Sequence, residues 1–85
     1  MNENLVFSAI EEYNKYHSPE ATVELIEFGN NFLSVKFYGP FCNSCGVNEW
    51  FEDFRIELEN RGVKTFIIEI KEIGNQTFLV NFVLK

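Results

Sequence analysis

The sequence predicts an α+β domain in the order α-β-β-α-β-β, with two helices packed on one face of a mainly antiparallel four-stranded sheet. Three observations predict it. Apolar residues recur at helical spacing in two segments and alternate at strand spacing in four others, and each neighbouring pair of strand-like runs is joined by a few residues rich in glycine and asparagine. Helices and hairpins interleaved in this way bury their apolar faces most simply as one helical layer on one sheet.

Residues 3–17 carry Val6, Ile10, Tyr13 and His17 near helical spacing, with Glu3, Glu11, Glu12 and Lys15 elsewhere and Asn2 as a cap. Ser18-Pro19 ends this helix, because proline lacks the donor that the next turn needs and restricts the residue before it. Two β-rich runs follow, Thr22–Phe28 and Phe32–Tyr38, joined by Gly29-Asn30-Asn31 as a hairpin. In the second run Leu33, Val35 and Phe37 alternate with Ser34, Lys36 and Tyr38, which predicts one buried face.

Beyond residue 46, Val47, Trp50, Phe51, Phe54 and Leu58 form an unbroken apolar stripe opposite Glu49, Glu52, Asp53 and Glu59. This is the clearest helix in the chain. Asn60-Arg61-Gly62 closes it, with Gly62 placed for a left-handed cap. A second hairpin follows: 64–71, with Phe66, Ile68 and Ile70 alternating, and Thr77–Leu84, with Phe78, Val80, Phe82 and Leu84 alternating, joined through Gly74-Asn75.

Eighty-five residues make a single domain over 1–85, small enough that its apolar residues must be used well. Ten phenylalanines, three tyrosines and one tryptophan supply an aromatic core that buries much area per residue. The formal charge of -6, with seven basic residues scattered among thirteen acids, argues against nucleic acid. No apolar run approaches the roughly 20 residues needed to span a bilayer. The N-terminus has no basic region and apolar run of a signal peptide, and two cysteines are too few for a secreted disulfide scaffold. A cytoplasmic location is the expectation.

Chemistry concentrates in Phe37-Tyr38-Gly39-Pro40-Phe41-Cys42-Asn43-Ser44-Cys45, where the first hairpin gives way to the second helix. Gly39 frees the backbone to turn and Pro40 stiffens the approach to the first thiol. Cys45 lies near the first turn of a helix, where unpaired N–H groups and the macrodipole favour a thiolate. No acidic side chain lies between Gly39 and Asn48, a gap in an otherwise acidic chain. Two thiols at this spacing suit redox chemistry or metal binding, and cysteines packed as small apolar residues are the plainer alternative. A tetrahedral zinc or a cubane cluster usually takes four protein ligands, and one copy offers two thiolates and a single distant histidine. A metal site would therefore join two chains.

The run Val35-Lys36-Phe37-Tyr38-Gly39-Pro40-Phe41-Cys42-Asn43-Ser44-Cys45, followed by an amphipathic helix and a strand, resembles the NifU C-terminal (Nfu) domain. Upstream, Ala21-Thr22-Val23-Glu24-Leu25-Ile26-Glu27 and Gly29-Asn30-Asn31 resemble that family's first strand and turn, and residues 3–17 its opening helix. The chain differs in having Glu20-Ala21 where a Gly-Gly pair is common and in a well-developed final strand. The resemblance implies an iron–sulfur scaffold or carrier rather than an enzyme. It would hold a labile 4Fe-4S cluster between two subunits through Cys42 and Cys45 and pass it to apo iron–sulfur proteins, working with other cluster assembly proteins. Zinc held by the same four thiolates in a non-catalytic interaction domain is an alternative.

The segment 35–45 also looks like the strand and redox motif of a thioredoxin-like thiol-disulfide oxidoreductase. That reading meets two obstacles: no proline follows Pro40, and hairpin register directly before the motif leaves no crossover helix for a parallel sheet. Elsewhere, His17 reads as a cap or solvent-facing residue and Trp50 and Phe51 as core. Glu11-Glu12 and Glu52-Asp53 read as solvated helix faces, while Tyr38 and Phe41 either shield a cluster or pack the loop.

Overall fold

Both helical stripes and the alternating faces of 32–38 and 77–84 pack together in the structure, a computed structural model that describes residues 3–40 and 47–85. The elements are α1 (Glu3–His17), β1 (Thr22–Phe28), β2 (Phe32–Tyr38), α2 (Val47–Asn60), β3 (Thr65–Gly74) and β4 (Thr77–Leu84), the order the sequence predicts. Asn2, expected as the first cap, and the side chain of Val47 lie outside the described residues. No helix among the described residues is long and apolar enough to cross a membrane.

The sheet order is β1-β2-β4-β3, and every neighbouring pair is antiparallel. The last strand is therefore central, seaming the two hairpins together through β2. Because β4 opposes both neighbours, β2 and β3 point the same way, and α2 crosses over the strand between them. Val6, Ala9, Ile10 and Tyr13 of α1 and Phe51, Phe54 and Leu58 of α2 are buried against Leu33, Val35, Phe37, Val80 and Phe82 of the sheet. All these sheet residues lie on one face, so both helices cover that face.

Local chemistry fixes the ends. His17 Nδ1 lies 2.9 Å from the Tyr13 carbonyl, so the ring caps the last turn of α1. Gly62 adopts φ +84°, and the bonds Gly62 N–H to Glu59 O and Val63 N–H to Leu58 O, each 2.9 Å, complete a Schellman closure of α2. The Asn14 side chain holds β1 from α1: Nδ2 donates to the Val23 carbonyl at 3.0 Å and Oδ1 accepts from the Val23 N–H at 2.8 Å.

The second hairpin departs from the sequence pattern. β3 continues through Gly74, and the turn is Asn75-Gln76 rather than Gly74-Asn75, with Gln76 at φ 56°. Register slips between Ile67 and Glu69, leaving Ile68 as an extra residue, so the Phe66, Ile68, Ile70 alternation does not define one face. Ile70 lies opposite buried Val80 on the helix side, whereas Phe66 lies opposite Val83 on the other side. All three are substantially exposed, together with Ile73.

Candidate functional site

Cys42 and Cys45, with Phe41, lie outside the described residues, so the site is defined by the two ends between which they are strung. On the strand side, Gly39 has φ +135°, a conformation side chains disfavour. A Cβ there would also collide with the Glu20 carbonyl. The Gly39 N–H donates to the Gln76 carbonyl at 3.1 Å. The chain thus leaves β2 between the segment that follows α1 and the β3–β4 turn, and only glycine fits.

On the helix side, the first turns of α2 are fastened to the end of α1. The Tyr13 hydroxyl donates to the Trp50 carbonyl at 3.0 Å. His17 stacks on the Tyr13 ring with centroids 3.9 Å apart and planes 6° from parallel, and the Trp50 ring meets its edge. Since a carbonyl can only accept, His17 carries a hydrogen on Nδ1, which leaves Nε2 facing Asp53 Oδ2 at 3.6 Å. Burial pushes the Tyr13 hydroxyl well above the ordinary tyrosine range, and the Asp53 charge adds to the effect.

The other sequence candidates fall into place around this frame. Phe51 is fully buried and Trp50 is partly buried against the core, as their spacing predicts. Tyr38 lies beneath Lys36 Nζ, 5.3 Å from its ring centroid, on the sheet face opposite the helices. Of the acidic pairs, Glu52 is tied to Arg55, whereas Asp53 only stands near the His17 ring, so the second pair does not act as one unit. Among the described residues, no three His, Cys, Asp or Glu side chains gather as a metal site.

Sequence reading missed the two clamps themselves. The Tyr13–Trp50 bond joins residues far apart in the chain, and the Glu20 carbonyl is a backbone atom with no side-chain signature. Gly39-Pro40 was the one visible signal of the second. No protein-family model matches the chain, and no curated protein matches it.

Proposed function

We propose that the chain is an iron–sulfur cluster scaffold or carrier of the cytoplasm, similar to the NifU C-terminal domain, in which Cys42 and Cys45 of two copies together hold a labile 4Fe-4S cargo for delivery to apo iron–sulfur proteins. The observation that supports the reading is the ligand count: the chain carries two cysteines and one histidine, and that histidine is packed at the end of α1, stacked on Tyr13 and edged by Trp50. That leaves the two thiols of each chain as the soft ligands. A four-thiolate site then needs two chains.

The frame supports ligation over thiol exchange. A cysteine pair between a strand end and a helix N-terminus has its thiolates favoured by the helix dipole, which serves ligation and thiol exchange alike, so the preference rests on the sheet. The thioredoxin-like alternative calls for a parallel sheet around that helix, whereas here β4 separates β2 from β3 and every neighbouring pair is antiparallel.

Anaerobic reconstitution of the reduced protein with iron and sulfide tests the proposal. The expected product is coloured, with one cluster for every two chains, and the Cys42→Ser/Cys45→Ser variant stays colourless. A colourless wild-type protein overturns the reading.

A further inference from the structure

The two edges of the sheet are finished differently. β1 is covered by α1, Asn14 occupies both backbone groups of Val23, and Glu24 and Glu27 are exposed along it. β3 is ten residues long, has a neighbour on one side only, and exposes Phe66, Ile68, Ile70 and Ile73 at 53%, 61%, 40% and 52%. A long edge with exposed isoleucines is a template for another strand wherever bulges and like charges do not block it.

Charge selects the strand. Between the irregularities at Ile68 and Ile73 lies a regular run, Glu69-Ile70-Lys71-Glu72. Antiparallel pairing of two identical runs places side chains of one face opposite each other only when some residue meets its own copy. Centred on Glu69, Lys71 or Glu72, the pairing sets like charges face to face. Centred on Ile70, it sets each Glu69 against Lys71 of the second copy and Ile70 against Ile70. Opposite charges directly across a ladder stabilise it, and like charges destabilise it.

Glu69 is already held for such a contact. A polar ladder crosses the outer sheet face, the Ser34 hydroxyl donating to Asn81 Oδ1 and Asn81 Nδ2 donating to Glu69 Oε1 at 2.7 Å. It ends at the β3 edge in a carboxylate, with Lys71 Nζ 3.8 Å from its other oxygen. Ile70, opposite Val80 on the helix side, would carry the apolar layer across the joint.

We propose that β3 pairs antiparallel with β3 of a second copy about Ile70, forming a continuous eight-stranded sheet. This dimer is separate from the two-chain contact that a shared cluster needs. The cysteine segment departs from Pro40, after Gly39 bonds to Gln76 at the β3–β4 turn. Rotation about Ile70 sends the same point of the second copy to the far end of the joined sheet. The pairing thus goes beyond the cluster proposal and stands without the cysteines.

Sedimentation of the reduced, metal-free protein tests it. The wild type and the Cys42→Ser/Cys45→Ser variant should both dimerise. Glu69 and Lys71 have side chains 46% and 59% exposed, so substitutions there should leave the fold intact, with circular dichroism as the check. Lys71→Glu and Glu69→Lys should each weaken the dimer by about tenfold, since two symmetric ladder contacts change sign. The double exchange Glu69→Lys/Lys71→Glu should restore it. A wild-type chain that stays monomeric at millimolar concentration, a Lys71→Glu dimer as tight as the wild type, or a double exchange that recovers nothing overturns the proposal.

Discussion

Tyr13 does three things with one side chain: it fills the core, stacks under His17 and fastens α1 to the Trp50 carbonyl. Helical spacing marked it as buried, but periodicity carries no information about where a buried hydroxyl finds its acceptor. Because burial and Asp53 raise its folded pKa above the unfolded value of about 10, the neutral phenol favours the fold fully below that pH. Above it the unfolded chain ionises first, and stability declines as pH rises toward the folded value. Tyr13→Phe should cost about 1 kcal/mol at neutral pH through the lost bond to Trp50, yet flatten the alkaline decline. Urea midpoints of both proteins at neutral pH and above pH ~10 decide it. Parallel declines would show that another group governs alkaline unfolding.

At the scale of elements, the β2 exit at Gly39 joins a positive φ to a close backbone contact ahead of the cysteines. Gly39→Ala meets both an unfavourable φ and the Glu20 carbonyl, whereas at Gly62, φ +84°, a new Cβ meets nothing within 4 Å. Gly62→Ala should therefore cost about 1 kcal/mol from its backbone alone. Gly39→Ala should cost about 2–3 kcal/mol, since Glu20 must also move. Denaturant unfolding of the pair checks the order, and equal losses would remove Glu20 from the explanation. Element order and most boundaries were legible because proline, Gly62 and the apolar periods act locally. β3 was not fully legible: its isoleucines alternate as a regular strand would, but the slip at Ile68 depends on what β4 offers opposite. Pairing of β4 with β2 was equally hidden, since it is fixed by which hairpin faces match across the whole sheet. Of the candidate site, the Cys42 and Cys45 pair stood out in the sequence at once; the clamps formed by Gly39 and Tyr13 did not, being long-range contacts.

At the scale of the molecule, the two α-β-β halves share one aromatic core rather than owning one each. Phe54 of α2 meets Tyr13 of α1, Phe37 of β2 and Phe82 of β4 edge to face, with centroids 5.6, 5.8 and 5.9 Å apart. Those three contacts reach both halves, so neither half can lose its packing alone. Phe54→Ala leaves a cavity at this junction and should cost about 3–5 kcal/mol. A chain of this length has roughly 4–13 kcal/mol in total, so the variant should be marginal or unfolded, whereas Phe54→Leu should cost less and stay folded. The shared core further requires that Phe54→Leu unfold in one step. Trp50 fluorescence reports the α1–α2 junction and far-ultraviolet circular dichroism reports sheet and helix together, and the two urea curves should coincide. A tryptophan transition that precedes the loss of secondary structure would mean that the helices detach from the sheet first, and the core would then be two packings rather than one.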